Sequence, residues 1–518
     1  LGQDCAADRA RRIIVDRDDS ARRAKESVMA ASEWSYRTAG AMAAALAARQ
    51  VSAVELAHGA IARIRAHDGR INAVCVPDFD RALDAAQAAD AALAAGERRP
   101  LLGVPMTVKE SFNIAGLPTS WGFPRHKDFM PPEDALAVTR VKAAGAVILG
   151  KTNVPFALGD WQSYNDIYGV TANPWDPGRT PGGSSGGSAA ALAAGYAPLA
   201  LGSDIGGSLR APAHFCGVYA HKPSFGLAPS RGQTPPGAPA LPMEPELAVI
   251  GPMARSAADL ALLLDVIAGP DPRDDGIAYR LDLPAARHAA LADYRVLVLD
   301  SHPLLPTAAS VTAAIGRLSD GLARAGVRVA RDSALLPDLA DSARLYMRLL
   351  RAYLGFSLPP DVYAGLQAMA AGLSPADRSL AAESLRGWGL SHRDWLIAHA
   401  ARARLRARWA ALFGAVDAVI CPVTPTPTFP HDHSADIEAR RLRIDDAEVP
   451  YVDQLVWAGV ATAPGLPATA IPVGLSPEGL PIGVQIVGPW LEDRTPLALA
   501  ALIEREFGGF TPPPGFAD

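Results

Sequence analysis

Apolar side chains at Leu56, Ala60, Ile61 and Ile64 fall on one helical face, and Ser52-Ala-Val-Glu55 just before them fits a capping box. A helix is therefore expected from residue 53 onward. Beyond it, small-residue helical stretches alternate with apolar runs of strand length. Residues 135–145 predict a helix feeding a strand at 146–149, and residues 188–196 predict one feeding a strand at 198–202. A helix at 257–268 leads to a buried strand at 294–300. This alternation predicts an α/β fold, with a mixed β-sheet core covered by helices on both faces.

Residues 303–415 have a different texture, rich in Ala, Arg and Leu at helical spacing and without the glycine clusters found earlier. They predict a helical insertion or cap. Strand patterns return at 416–422 and across 466–487, where residues 479–486 read as a turn entering a core strand. The flanks of the helical stretch are expected to share one sheet, giving a single large domain over 29–518. Residues 1–28 mix Arg and Asp, as at Arg17 and Asp18, and contain no apolar run of the kind a secretory leader needs. They are expected to form a weakly ordered extension, with Met29 as the natural start.

Charge narrows the partners. Against 49 basic side chains stand 54 acidic ones, a formal charge of −5, so no general field draws nucleic acid or anionic lipid. No run approaches the roughly 18 apolar residues that span a bilayer. The expectation is a soluble, cytoplasmic protein, a monomer or homodimer, acting on a small molecule without nucleic acid or membrane. Cys5, Cys75, Cys216 and Cys421 are widely spaced and read as reduced thiols, and neither they nor the histidines have metal-ligand spacing. No metal or cofactor is expected.

Some motifs mislead. Residues 145–152 match the phosphate-binding Gly-x4-Gly-Lys-Thr pattern, but their interior is apolar strand rather than the flexible loop a phosphate needs. The Gly-x-Ser-x-Gly match at 182–186 lacks the preceding strand that a nucleophile elbow requires. His431 and His433 sit in a proline-rich loop and read as surface residues.

Three stretches combine flexible backbone with serine and lysine: Gly103-Val-Pro-Met-Thr-Val-Lys109-Glu-Ser, Gly182-Gly-Ser184-Ser185-Gly-Gly-Ser188 and Gly202-Ser-Asp204-Ile-Gly-Gly-Ser208-Leu-Arg210-Ala-Pro. In this order and wording they resemble the amidase signature family, serine hydrolases with a Ser–Ser–Lys triad. The resemblance runs from about residue 52 to the segment at 479–486, is dense over 101–232 and thin across 303–415. It implies the amidase signature fold, with Ser208 as nucleophile, Ser184 as a bridging serine on a cis peptide from Gly183, Lys109 as base and Ser185 as a supporting neighbour.

The chemistry is coherent on its own terms. A serine hydroxyl attacks only as something takes its proton, and a lysine can do so only when neutral. Its pKa must fall from about 10.4 toward 7–8, which burial away from carboxylates achieves. Lys109 ends the apolar run 104–108, where burial is available, and it is one of only six lysines. Arginine could not serve, since it stays protonated. Ser184 can accept the proton of Ser208 while donating to Lys109, and reverse that path to protonate a leaving amine. The glycines at 206 and 207 let backbone N–H groups from Ile205, Gly206, Gly207 and Ser208 converge on an oxyanion. Asp204 and Arg210 are expected to shape this loop by hydrogen bonds and an ion pair. Lys222 reads as structural.

By the same resemblance, Gly159, Asp160 and Trp161 lie near the acyl-binding side, with Trp161 a candidate pocket wall and the Gly159 carbonyl a candidate contact to the leaving group. The implied activity is hydrolysis of carbon–nitrogen amide bonds, releasing an acid and ammonia or an amine. Carbamate and ester cleavage use the same machinery. A glutaminase subunit of a tRNA-dependent amidotransferase is a further possibility, although Ala211 follows Arg210 where that subunit usually has Gln, and Phe225-Gly-Leu-Ala-Pro-Ser departs from its usual Tyr-Gly-Arg-Val.

Overall fold

In the computed structural model, the helix following Ser52 is Ala53–Ile71, and the capping box is closed from both sides. Glu55 N–H donates to Ser52 Oγ at 3.1 Å, and Ser52 N–H donates to Glu55 Oε2 at 2.8 Å. Leu56, Ile61 and Ile64 are buried along its inner face. The structure describes residues 33–517, so the expected extension 1–28, Met29 and Cys5 lie outside the described residues.

In chain order the strands are β1 (Val74–Pro77), β2 (Pro105–Lys109), β3 (Val147–Thr152), β4 (Tyr164–Asn165), β5 (Gly169–Val170), β6 (Leu199–Asp204), β7 (Tyr219–Lys222), β8 (Val249–Ala254), β9 (Arg295–Val298), β10 (Arg328–Ala330), β11 (Ala418–Pro422), β12 (Arg441–Ile444), β13 (Ala447–Pro450), β14 (Ala468–Leu475) and β15 (Pro481–Val487). Two short ribbons pair β4 with β5 and β12 with β13. The other eleven strands make one sheet, in the order β1-β3-β2-β6-β8-β7-β14-β15-β11-β9-β10. It is mixed: β2 lies parallel to both β3 and β6, whereas β8 runs antiparallel to β6 and β7. Every residue of β2, β3, β6, β7, β8, β11 and β15 is buried. Because successive side chains in a strand point to opposite faces, complete burial means that both faces are covered.

β3 runs through Gly150, Lys151 and Thr152, beyond the expected 146–149, so the phosphate-loop look-alike is strand and not a strand followed by a polar loop. A Cβ on Gly150 would lie 2.5 Å from the Val76 carbonyl, so glycine is what lets β1 close against β3. Between 303 and 415 lie the helices Ala309–Arg324, Leu339–Leu354, Pro360–Ala371, Leu380–Trp388 and His392–Ala415. The stretch also holds β10, which extends the sheet edge beside β9 and which helical periodicity hides. Three residues in a strand are too few to show alternation. Among the described residues, no helix is long and apolar enough to cross a membrane. Among the described residues, Cys75, Cys216 and Cys421 form no disulfide.

Candidate active site

β2 and β6 are parallel neighbours, in register from Met106 opposite Leu199 to Val108 opposite Leu201. Their carboxyl ends therefore emerge side by side, the place where open α/β sheets collect ligands. β2 delivers Lys109 and β6 delivers Ser203 and Asp204. Two loops close over this edge. One carries Ser184 into the helix Gly186–Ala193, and the other carries Ser208 into the helix Arg210–Cys216.

Lys109 is fully buried. Its Nζ lies 2.6 Å from Ser184 Oγ and 2.9 Å from Ser203 Oγ. Burial drives its pKa down to about 7, with Asp204 opposing the shift through its negative charge. The neutral amine is thus accessible near pH 7. Two other buried lysines show that depression alone does not mark a base. Lys222 also falls to about 7 and Lys151 to about 8, both chiefly by burial. Lys222 Nζ, however, donates to the carbonyls of Pro223 and Leu466, and Lys151 to the Pro118 carbonyl and Thr119 Oγ1. Of the three, Lys109 is the one whose amine reaches a hydroxyl of the two glycine-rich loops.

The Gly183–Ser184 peptide is cis. Gly183 packs against the backbone of 160–162 so closely that a Cβ would stand 2.3 Å from the Asp160 carbonyl. Ser185 braces the same turn: its N–H donates to the Ser208 carbonyl at 3.2 Å and its hydroxyl to the Ser203 carbonyl at 3.3 Å. Ser208 is 6% exposed, and its hydroxyl takes part in no hydrogen bond among the described residues. The side chains of Ser184 and Ser208 are accordingly not bonded to each other in this structure.

Asp204 organises the second loop. Its carboxylate accepts the N–H groups of Gly207 and Leu209 at 2.9 and 3.1 Å and forms a two-pronged ion pair with Arg210. Burial alone would raise its pKa, yet Arg210 holds it at about 2. The remaining Arg210 donors reach the Ala458 carbonyl, Gln485 Oε1 and Thr462 Oγ1, so none of its N–H groups is left over.

This geometry corrects one sequence expectation. Gly207 is not a donor to an anion alongside Ile205, Gly206 and Ser208, because its N–H is committed to Asp204. Among the described residues, the N–H groups of Ile205, Gly206 and Ser208 have no protein acceptor.

Trp161 has a further contact. It is buried, and its Nε1 donates to the Gly206 carbonyl at 2.8 Å, so it grips the loop itself. Asp160 accepts from Arg440 and from the Tyr451 hydroxyl, which ties the 158–162 segment to the stretch carrying β12 and β13. Gly159 N–H donates to the Phe156 carbonyl at 3.0 Å.

Three site residues escape a reading of the sequence. Ser203, second partner of Lys109, sits at the polar end of an apolar strand, a signal that the sequence does carry. Gln233 approaches Ser203 Oγ and Ser111 Oγ at 3.2 Å each, and Tyr346 donates to the Ile205 carbonyl at 2.6 Å. Neither has any local sequence cue. His214 does not compete as a base, since both ring nitrogens face backbone groups and burial lowers its pKa to about 4.

A family model described as Amidase matches residues 55–497. The chain is 37% identical over 499 residues to a glutamyl-tRNA(Gln) amidotransferase subunit from Acidothermus cellulolyticus, covering 91% of this chain and 94% of that one. It is 34% identical over 477 residues to the indoleacetamide hydrolase of Bradyrhizobium diazoefficiens, covering 90% and 86%. The crystal structure of a bacterial aryl acylamidase of the amidase signature family superposes with a TM-score of 0.74 at 24% identity, covering 91% of this chain and 96% of that one, a likeness of fold.

Proposed function

The chain belongs to the amidase signature family, whose hydrolases act on C–N bonds, and from that premise we propose that it hydrolyses amide bonds of small molecules through an acyl-enzyme on Ser208. The observation that carries this reading is the buried Lys109 amine 2.6 Å from Ser184 Oγ, in a setting that lowers its pKa. Ser208 Oγ attacks the carbonyl carbon as its proton passes to Ser184, whose own proton passes to Lys109. The N–H groups of Ile205, Gly206 and Ser208 receive the oxyanion, each such donor being worth about 3–4 kcal/mol in the transition state. The C–N bond then breaks, and the leaving nitrogen takes a proton from Ser184, refilled from Lys109. Water repeats the sequence on the acyl-enzyme and releases the acid. Ser185, Asp204 and Arg210 hold the loops in place.

The proposed acyl group is uncharged. Ionised side chains tied to the loop pair with one another, Asp204 with Arg210 and Asp160 with Arg440. A free amino acid such as glutamine brings an ammonium and a carboxylate that need partners of their own. The 37% likeness to an amidotransferase subunit keeps glutaminase chemistry as a second reading, weighed against by this pairing and by Ala211 after Arg210. Esters and carbamates are expected as side substrates because they enter the same acyl-enzyme.

A hydrolysis screen of aliphatic amides, anilides, carbamates and esters is the test. Turnover of uncharged amides by the chain alone is expected; glutamine hydrolysis only on adding amidotransferase partner subunits and tRNA would reverse the choice. The pH profile follows from the sign of the Lys109 shift. The neutral amine is the active form, so kcat/KM should be level above pH 7 and fall about tenfold per pH unit below it. A profile flat down to pH 5 would remove lysine from the mechanism.

A further inference from the structure

The helix Leu339–Leu354 lies far from the signature stretches in sequence, yet it sends Tyr346 to the loop before Ser208. The ring is fully buried, and the helix Leu455–Thr462 makes space for it with Gly459, where a Cβ would come 2.6 Å from Tyr346 Cδ1. The hydroxyl donates to the Ile205 carbonyl at 2.6 Å. Burial pushes the phenol well above its ordinary pKa, so it remains a donor at any working pH.

That carbonyl and the Gly206 N–H are opposite ends of one planar peptide, and in a trans unit they point in opposite directions. Holding one end aims the other. The neighbouring unit is held the same way by Trp161 on the Gly206 carbonyl, but its N–H goes to Asp204. Tyr346 therefore acts on the one clamped peptide of the pair whose N–H remains available. Glycine at 206 leaves that peptide plane free to rotate at little cost unless something grips it.

We propose that Tyr346 is a positioning residue of the hydrolytic centre, which aims the Gly206 N–H at the oxyanion by holding the Ile205 carbonyl from behind. This rests on Ser208 being the nucleophile. The helical stretch outside the signature is thereby part of the catalytic apparatus, although Tyr346 touches no reacting atom.

The experiment is Tyr346→Phe, which removes one oxygen, assayed beside Ser208→Ala. Rates are expressed per site titrated with a fluorophosphonate, so unfolded molecules drop out of the comparison. We expect kcat to fall roughly 10- to 100-fold with KM within about twofold. The loss should be equal for an anilide and an ester, since both pass through the anion, and the acid limb should stay near pH 7. Affinity for a boronic acid that forms a tetrahedral adduct should fall in step with kcat/KM. Wild-type kcat per titrated site, a change confined to KM, or a displaced acid limb would overturn the proposal. Turnover surviving in Ser208→Ala would instead overturn the assignment of the nucleophile beneath it.

Discussion

Ser208→Ala is expected to lower hydrolysis of every substrate class by about 10⁵–10⁶-fold, the scale on which removal of a serine nucleophile acts elsewhere. Two hydroxyls compete for the role, and their settings divide them. Ser184 is engaged with Lys109 at 2.6 Å, whereas the Ser208 hydroxyl has no hydrogen bond among the described residues and lies next to the free N–H groups of its own loop. A nucleophile must reach the carbonyl carbon while the carbonyl oxygen reaches those donors, and Ser208 has both in one turn of chain. Peptide mass mapping after treatment with a sulfonyl fluoride should place the adduct on the peptide containing Ser208 and find none in the alanine variant. An adduct on Ser184, or wild-type labelling of Ser208→Ala, would exchange the roles of the two serines.

Lys109→Ala should separate substrates by their leaving groups. Both amides and esters need the serine proton removed, but only an amide must also have its nitrogen protonated before the bond can break. We expect amide turnover to drop roughly 10⁴-fold and activated-ester turnover roughly 10²-fold, spanning the usual range of general acid–base contributions. The residual ester activity should lose the acid limb near pH 7, because the group that titrates there is gone. Equal losses for a matched anilide and phenyl ester would mean that the relay serves attack alone.

How far the sequence reaches depends on the range of each interaction. The sheet is legible because β3, β6, β9 and β11 are short apolar runs beside helical stretches, and burial on two faces demands such runs. The capping box at Ser52 and Glu55 is legible because its partners are three residues apart. Lys109, Ser184 and Ser208 stand out as wording, through resemblance, and chemistry supplies a reason for each. β10 is hidden because three residues carry no period. Gly207 is misleading because the pattern Ile-Gly-Gly-Ser shows four N–H groups in a row but not that Asp204 captures one. Tyr346 and Gln233 leave no trace at all: the contacts of Tyr346 with Ile205 and of Gln233 with Ser203 span 141 and 30 residues. A tyrosine on a helix in an Ala- and Leu-rich stretch looks like any core tyrosine.

The strand order bears on how this enzyme can be dissected. Residues 101–232 hold every signature element, yet Arg210, two residues after Ser208, completes its bonding with Ala458, Thr462 and Gln485. β7, near the end of that block, takes its antiparallel partners from β8 and β14. An excised core would bare the edge of β3 that meets β1, the edge of β6 that meets β8 and both edges of β7, and would leave a guanidinium half-satisfied in its interior. The catalytic wording is thus contiguous on paper but not in space, and any split-enzyme or minimal-scaffold design must carry the last third of the chain along as an equal half.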